Sequence, residues 1–448
     1  MRVHWALVLS LCAATTAAWG QTSTRRGRKP AVAIGGEVGP YDGSVNPAPK
    51  MHPLAAEGAA WLLKMQQADG GWPRASRFSV PGPAGPWNAP SRAAAAPPSD
   101  YSTSAMAGLA LVRTGATPAA KEGNPLREAI RYVADVATAA EPPNPAESQP
   151  SYKLGPLAGP AHATQFLARV LPMLPADDPL HRAVTAALEK NVTRLEKAEH
   201  AFLQGGVDAA VPEGSESEST IVEPPRPAAA ARAASFSPVH HVLICLTALE
   251  TARAAGREVD AAVLARLRRM LAAFVDPRTG AIDDNQVMST ELYAFSSAMR
   301  STAVEARAAQ ERTANHKGAM AGRAAASRLP KPHQPPPVAI QQALVARLAA
   351  ADERLLIGFG SLGGEEFLSY LLIGEALVLD GDPRTYGQWH KALVARLARS
   401  QRADGSWAGL HCITDPIYMT AAAVQALTAD RDEPLLLHIA RQAAEEAD

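Results

Sequence analysis

The phrase Gln66-Gln67-Ala68-Asp69-Gly70-Gly71-Trp72 occurs a second time, in altered form, as Gln401-Arg402-Ala403-Asp404-Gly405-Ser406-Trp407. Each copy follows an apolar run with helical periodicity, so each stands where a helix is expected to end. Glycine allows the left-handed backbone that terminates a helix. Gln and Asp can bond free backbone groups at the helix end, and Trp covers the turn with a large apolar surface. Two copies of one helix-ending phrase predict a repeat of helical hairpins.

The pattern Gln-x-x-Asp-Gly-(Gly/Ser)-Trp resembles the QW motif of the terpenoid cyclase and protein prenyltransferase superfamily. The resemblance implies an α/α toroid, a ring of helical hairpins whose inner helices line a central cavity, in a divergent, exported, bacterial-type member. It covers residues 52–446, with degenerate matches between the two full motifs. It indicates fold more than chemistry, because unrelated functions share such folds. The residues assigned to the structural motif are Gln66, Asp69, Gly70, Trp72, Gln401, Asp404, Gly405 and Trp407.

Two kinds of helix alternate along the chain. The first kind begins with an acidic or amide residue before a proline, as at Asn124-Pro125 and Asp178-Pro179, and continues with one apolar face. Such helices are typical of an outer ring. The second kind is rich in small residues and Leu with few charges, which suits a crowded inner ring; these helices are expected over 100–112, 160–171, 238–252, 288–299, 365–379 and 415–427. With a closing helix at 435–444, the pattern predicts an all-α, (α/α)6 toroid.

The 448-residue chain is expected to hold one toroid domain, over residues 52–446, behind an export signal. Residues 1–20 have the polar start, short apolar core and small cleavage-site residues of a signal peptide. Residues 21–51 are expected to form a disordered leader. Loop inserts rich in Pro, Ala, Ser or charge are expected near 81–98, 140–150, 205–234 and 303–337. No later apolar run is long enough to span a membrane, so the prediction is an exported protein, periplasmic or extracellular.

Charge and cysteine content bear on the partners of the protein and on its disulfide bonds. Lys and Arg number 44, and Asp and Glu also number 44, so no basic surface indicates a nucleic-acid partner. Beyond the signal, Cys245 and Cys412 remain. In an oxidising compartment they could form a disulfide or stay as two separate thiols, and the sequence leaves both possibilities open.

The N-terminal ends of the inner helices are expected to surround one mouth of the cavity. The phrase Gly363-Gly364-Glu365-Glu366 opens the fifth inner helix. Glu365, Glu366 and Asp415 are candidate catalytic acid–base residues; alternatively, these acidic groups only complement the helix dipoles. Candidate ligand-binding residues at the same mouth are Asp100, Tyr101, Asp284, Glu291, Tyr370, His411 and Tyr418.

His411, Cys412 and Asp415 have side chains that can bind metals. The family resemblance implies a prenyltransferase zinc site with a His where Met419 stands here, and the Asp-x-Cys pair of that site is absent. The neighbours His240-His241 point about 100° apart on a helix, so one is expected to face the cavity and the other to pack or be solvated. The sequence therefore predicts no metal and no other cofactor.

Two functions fit these observations. The favoured prediction is a non-catalytic binding or scaffold protein that uses its cavity or mouth for a peptide, a glycan or an apolar small molecule. Catalytic signatures are missing: the cyclase acid pattern is reduced to Ile282-Asp283-Asp284, and aromatic residues make up only 5% of the chain. The alternative is an extracytoplasmic enzyme of polysaccharide-lyase or glycosidase type, or less favoured a terpenoid cyclase or transferase, with acid–base carboxylates at the mouth.

Overall fold

The computed structural model describes residues 39–46, 51–74, 98–140, 148–208, 238–276, 279–282, 290–321, 336–350, 356 and 362–446. These residues form fourteen α-helices, which confirms the predicted all-α class. The helices are α1 (Pro53–Met65), α2 (Tyr101–Arg113), α3 (Pro125–Thr138), α4 (Gln149–Leu154), α5 (Ala158–Val170), α6 (Pro179–Asp208), α7 (Pro238–Ala254), α8 (Ala261–Ala272), α9 (Glu291–Ala321), α10 (Pro336–Ala350), α11 (Gly364–Asp380), α12 (Pro383–Ala398), α13 (Pro416–Leu427) and α14 (Glu433–Glu445). The expected signal peptide lies outside the described residues.

Six helices form the inner ring: α2, α5, α7, α9, α11 and α13. Each contacts the next in this order, and α13 contacts α2, so the ring closes. Small side chains allow the close approach that this requires. A Cβ added to Gly108 of α2, for example, would lie 2.5 Å from the ring of Phe166 on α5. The toroid predicted from the small-residue helices is therefore the observed architecture.

The outer helices bury one face each, and α3 shows why. The Asn124 side chain accepts a hydrogen bond from the Arg127 backbone N–H at 3.0 Å, and Pro125 takes the first helical position. Ile130 and Val133 are then buried against the inner ring. Helices α1, α6, α8, α10 and α12 pack against the inner helices in the same way.

The first copy of the motif joins three helices. Gln66 Nε2 donates to the backbone carbonyl of Pro125 in α3 at 2.8 Å. The fully buried indole of Trp72 donates from Nε1 to the carbonyl of Leu62 in α1 at 2.7 Å. The Trp72 backbone N–H donates to Ser104 Oγ of α2 at 2.8 Å. The motif thus fixes the end of one outer helix to the next outer helix and to an inner helix.

The second copy makes the same three bonds across the ends of the domain. Gln401 Nε2 donates to the carbonyl of Leu54 in α1 at 3.2 Å. The buried Trp407 indole donates to the carbonyl of Leu397 in α12 at 3.0 Å, and its backbone N–H donates to Thr420 Oγ1 of α13 at 3.0 Å. Because the next outer helix is α1, this copy closes the ring.

The C-termini of the inner helices lie on one side of the ring. The first and the last described segments of the domain cover this side. Helix α14 packs against α7, α9 and α11. Residues 39–46, expected to belong to a disordered leader, lie extended beside it. The Tyr41 N–H donates to the Ala254 carbonyl at 2.7 Å, and the Asn46 N–H donates to the Arg431 carbonyl at 2.9 Å. We call this covered side the closed end.

A layer of buried charges lies under the closed end. Arg113 donates to Glu375 at 2.5 Å and to Asp432 at 2.7 Å. Arg169 contacts the other oxygen of Asp432 at 3.1 Å, and Arg300 Nε donates to Glu375 at 2.8 Å. These side chains come from α2, α5, α9, α11 and the turn before α14, and all are buried. Opposite charges compensate one another here, so the inner helices combine small residues with single, paired charges.

Two predicted inserts are partly helical. Helix α9 continues through the first part of the segment 303–337, and α6 extends to Asp208, past the start of the segment 205–234. Alanine is the strongest helix former, and an Arg307–Glu311 ion pair one turn apart supports α9. The described first parts of these two segments are therefore helical, and in α9 the alanines favour the helix. None of the helices described here is both long enough and apolar enough to cross a bilayer.

The buried indoles predict a large stability contribution from the motif. Trp407→Ala should lower the free energy of unfolding by about 3–5 kcal/mol, because it leaves a large cavity in the core. Trp407→Phe should lose less, since it keeps most of the volume. Urea unfolding measures both, with Leu410→Ala, at a side chain 55% exposed, as the control. A loss for Trp407→Ala as small as that of the control would contradict a clamping role.

The motif glycine gives a second stability prediction. Gly405 has φ of +90°, and a Cβ there would lie 3.0 Å from the Glu57 carbonyl oxygen. Gly405→Ala should therefore cost about 1–3 kcal/mol. Gly387 lies inside α12 with nothing within 4 Å of an added Cβ, so Gly387→Ala should stabilise the protein by about 0.5–1 kcal/mol. Denaturant unfolding of the pair should give opposite signs; equal signs would argue against the strained turn.

Candidate functional site

Glu365 and Glu366 lie in the first turn of α11, at the end of the ring opposite the closed end. Two glycines let the segment 409–414 cover this turn closely. A Cβ on Gly364 would lie 2.7 Å from Ile413 Cβ, and one on Gly363 would lie 2.5 Å from a carboxylate oxygen of Glu366. The Gly364 N–H donates to the Ile413 carbonyl at 3.0 Å. The phrase Gly-Gly-Glu-Glu therefore places two carboxylates beneath a loop.

The Glu365 carboxyl group is buried, and its Oε2 accepts a hydrogen bond from the Ile413 backbone N–H at 3.3 Å. Burial raises the pKa of Glu365 from 4.5 to about 7, and the charge of Glu366 adds to this increase. A carboxyl group with a pKa near neutrality can both donate and accept a proton at physiological pH. Glu365 is therefore equipped as a general acid.

Glu366 is fully buried and links α11 to α9 and to the segment 409–414. Its Oε1 accepts a hydrogen bond from the Tyr293 hydroxyl at 2.9 Å, and His411 Nε2 lies 3.4 Å from the same oxygen. The Tyr293 ring lies 4.7 Å from the ring of His240, and His240 Nε2 lies 3.2 Å from Ser369 Oγ. Burial and the two glutamates raise the pKa of Tyr293, which keeps its hydroxyl neutral and donating.

The cluster continues on the other side of Glu365. A Cβ on Gly364 would lie 3.0 Å from the Tyr418 ring, and burial together with Glu365 raises the pKa of Tyr418. The Tyr418 ring lies 5.8 Å from the ring of His162, whose Nδ1 lies 2.8 Å from Ser102 Oγ. We call the whole set the polar cluster; its members are Ser102, His162, His240, Tyr293, Glu365, Glu366, Ser369, His411 and Tyr418.

Three buried polar atoms of the polar cluster have no hydrogen-bond partner among the residues that the structure describes: His162 Nε2, His240 Nδ1 and Tyr418 Oη. Burial lowers the pKa of both histidines to about 3, so each ring is neutral and can donate or accept one further bond. Unpaired buried polar atoms are rare in folded proteins because each costs stability. These three atoms lie near the two carboxylates and are free to bond a hydrogen-bonding ligand there.

The loop beside the carboxylates has an unusual backbone. Cys412 has φ of +53°, which side-chain-bearing residues seldom adopt and which occurs often at functional sites. Burial and Glu365 raise the pKa of the Cys412 thiol to about 12, so the thiol stays protonated. Cys245 and Cys412 do not form a disulfide bond in this structure. Within the described ranges, no three His, Cys, Asp or Glu side chains converge as metal ligands.

The aspartates proposed for this mouth serve as helix caps. Asp415 Oδ1 accepts hydrogen bonds from the N–H groups of Ile417 at 2.7 Å and Tyr418 at 3.2 Å. Asp100 Oδ1 accepts one from the Thr103 N–H at 2.7 Å. These bonds satisfy free amides at the starts of α13 and α2. They match the alternative that acidic groups complement the helix ends.

The other predicted ligand-binding residues divide. His411 and Tyr418 belong to the polar cluster. Tyr101 and Tyr370 point away from it. The Tyr101 hydroxyl accepts a hydrogen bond from an asparagine of α6, and the Tyr370 hydroxyl donates one to the carbonyl of residue 356. Glu291 forms an ion pair with an arginine of α10, outside the inner ring. Asp284 lies outside the described residues.

Sequence reasoning missed His162, Ser102 and Tyr293 as members of the cluster. The available signal was a polar residue in the first half of each otherwise apolar inner helix. The two neighbouring histidines separate as helical geometry requires: His240 faces Ser369, while His241 Nδ1 lies 3.0 Å from the carbonyl of residue 154.

Comparisons with known proteins add little to this picture. No protein-family model matches the chain, and no curated protein matches it. One solved structure to which the chain is similar is an inactive variant of the α-1,6-mannanase GH76A of Salegentibacter sp. HEL1_6 in complex with α-1,6-mannotetrose. The TM-score is 0.47 at 10% sequence identity, over 85% of this chain and 98% of that chain. Membership of the terpenoid cyclase superfamily stays a prediction from the motif, and function is inferred from the site's own residues.

The raised pKa of Glu365 predicts a pH-dependent stability difference. The unfolded chain loses this proton near pH 4.5 and the folded chain near pH 7, so the folded state binds more protons in between. The contribution of Glu365 to the free energy of unfolding therefore falls by about 3 kcal/mol as the pH rises through this window. Glu365→Gln removes the effect.

Urea unfolding at pH 4.5 and pH 7.5 checks this expectation. The stability of Glu365→Gln relative to the wild type should increase by about 3 kcal/mol between the two values. Glu189→Gln, at a side chain 65% exposed, is the matched control and should show no such change. Because the buried histidines titrate equally in all three proteins, their effects cancel. A difference for Glu365→Gln that does not vary with pH would contradict the raised pKa.

Proposed function

We propose that this protein is an acid–base enzyme of glycosidase type that acts on a neutral glycan at the polar cluster, with Glu365 as general acid and Glu366 as general base. The observation that carries the proposal is a buried carboxyl group with a pKa of about 7 next to a second buried carboxylate. Pairs of titratable groups in unequal environments are typical of acid–base sites. The proposal favours the enzyme alternative over the non-catalytic scaffold.

The two carboxylates have different surroundings, which fits two roles. Glu365 holds a proton near neutrality and would deliver it to the leaving oxygen of a glycosidic bond. Glu366 accepts a hydrogen bond from Tyr293, lies beside His411, and would take a proton from the attacking water. Bond cleavage then transfers one proton from Glu365 to the leaving sugar and one from the water to Glu366. Proton exchange with solvent restores the starting protonation states of the two glutamates.

The surrounding groups suit hydroxyl-rich substrates without charge. His162 and His240 are neutral, and with Tyr418 they offer unpaired donor and acceptor atoms that sugar hydroxyls can satisfy. The charge of Lys153 acts on Glu365 and lowers its pKa, against the larger effect of burial. A lyase acting on acidic polysaccharides would call for more positive groups, so a neutral glycan is the better match.

The site lies one layer below the surface. The His411 side chain is 22% exposed, and the neighbouring Leu410 is more than half exposed, while the carboxylates beneath are buried. The segment 409–414 packs closely over Gly363-Gly364, and movement of this segment would uncover both carboxylates. The expected export of the chain would place such an enzyme where polymeric glycans occur.

The test measures the release of reducing ends from neutral polysaccharides, including mannans, glucans and xylans, by the purified chain. Glu365→Gln and Glu366→Gln should each lower activity about 100-fold or more, because each removes a proton-transfer group. Wild-type activity should fall as the pH rises through about 7, where Glu365 loses its proton.

Glu189→Gln again serves as the control for a lost surface carboxylate, and unfolding curves verify that each variant is folded. Unchanged activity in both site variants would rule out these two residues as the acid and the base. Binding of a glycan without cleavage by the wild type would overturn the proposal in favour of the non-catalytic binding protein.

A further inference from the structure

A buried glutamine of another helix holds the segment 409–414, which covers the two carboxylates. Gln149 begins α4 and is 3% exposed. Its Oε1 accepts hydrogen bonds from the backbone N–H groups of Thr414 at 2.9 Å and Asp415 at 3.0 Å. Its Nε2 donates to Thr414 Oγ1 at 3.1 Å. One side chain therefore fixes three polar groups at the point where the segment meets α13.

The residue before Thr414 carries the hydrogen bond to the proposed general acid. The Ile413 N–H donates to Glu365 Oε2 at 3.3 Å, and the Ile413 carbonyl accepts a bond from the Gly364 N–H at 3.0 Å. The peptide group between Ile413 and Thr414 is thus bonded on both sides, to α11 through its carbonyl and to Gln149 through its N–H. These two bonds fix the backbone orientation of Ile413.

The bond from Ile413 acts on the proton of Glu365. An N–H directed at a carboxylate stabilises its charged form and so lowers the pKa. Burial has the opposite and larger effect and raises the pKa of Glu365 to about 7. Loss of the Ile413 bond should therefore raise this pKa further.

We propose that Gln149 is a positioning residue for Glu365, acting through the backbone of Thr414 and Ile413. Gln149 holds the end of the segment, and the segment keeps the Ile413 N–H directed at the Glu365 carboxylate. Its role in catalysis rests on the proposed function of Glu365. Its effect on the protonation of Glu365 can be measured on the folded protein without any substrate.

Several other charged or titratable groups face Glu365 from the elements around it. They lie on α4, α9, α11, α13 and the segment 409–414, and they are Lys153, Tyr293, Glu366, Tyr418, His411 and Cys412. Glu366 raises the pKa of Glu365, and Lys153 lowers it. Because Lys153 lies on the same short helix as Gln149, the test has to separate its charge from the bonds of Gln149.

The first experiment measures the pKa of Glu365 by NMR titration of its carboxyl carbon, identified as the resonance that Glu365→Gln lacks. Gln149→Leu removes all three bonds and should raise this pKa by about 1. Thr414→Val removes one of them and should raise it by less. The matched control is Gln425→Leu. Gln425 is 1% exposed and donates to the Met106 carbonyl at 3.1 Å, so its loss should leave the pKa unchanged.

Lys153→Met separates the two contributions of α4. Gln149→Leu should raise the pKa of Glu365 by the same amount in this background, because a bond and not a charge is lost. An effect that disappears there would assign it to Lys153 and overturn the proposal. An unchanged pKa in folded Gln149→Leu would also overturn it. If Gln149→Leu does not fold, Thr414→Val decides, and a pKa equal to that of the wild type would contradict the positioning role.

The second experiment records the pH dependence of glycan cleavage. In Gln149→Leu, the fall in activity with rising pH should move to higher pH by about 1, together with the pKa of Glu365. A loss of activity that is equal at all pH values would indicate a purely structural role and overturn catalytic positioning. A wild-type chain that cleaves no glycan would overturn the proposed function, whereas the NMR result would still decide whether Gln149 controls the proton of Glu365.

Discussion

Ring closure depends on the contact between the second motif and the first helix. The toroid is built from hairpins that each bury one face against the next, so the last hairpin needs a partner, and that partner is α1. Trp407 and Gln401 supply the junction, and the Trp61 indole adds a bond to Asp404 at 3.1 Å. Residues far apart in sequence thus carry the stability of the whole ring, which makes this junction the least local part of the fold.

The two ends of the ring use buried polar groups in opposite ways. At the closed end, charges are matched into ion pairs that anchor α14 and the segment 39–46, so the layer orders the chain termini of the domain. At the other end, the polar atoms of His162, His240 and Tyr418 are left unpaired around two carboxylates. The first arrangement is typical of structural specificity, whereas the second leaves polar atoms that a bound ligand could pair.

Local signals made most of the fold predictable. Cap-plus-proline phrases such as Asn124-Pro125, the motif glycines and the small-residue helices all act within a few residues, so the alternating helices and the toroid followed from the sequence. The ion pair between Arg113 and Glu375 did not, because 262 positions separate the partners and no local pattern connects them. Alanine-rich sequence was ambiguous for another reason, because composition alone does not distinguish a loop from the continuation of α9.

The site was half predictable. The Gly-Gly-Glu-Glu phrase pointed to Glu365 and Glu366, yet the histidines and Tyr293 that surround them come from other helices and meet only when the ring closes. An Asp before a helix is equally suited to cap or to catalyse, and the contacts of Asp415 were needed to show its capping bonds. Residues whose role depends on which inner helix lies opposite are beyond sequence reasoning of this kind.

The cover formed by α14 and the segment 39–46 closes the ring at one end, so the described residues do not form an open tunnel. Under the proposed function, a glycan would therefore reach the carboxylates only from the opposite end of the ring and would leave by the same route. Such a geometry favours attack at chain ends or on short oligomers over cleavage in the middle of a long strand. It also makes departure of one fragment a condition for arrival of the next, so turnover would be discontinuous, with full release between events.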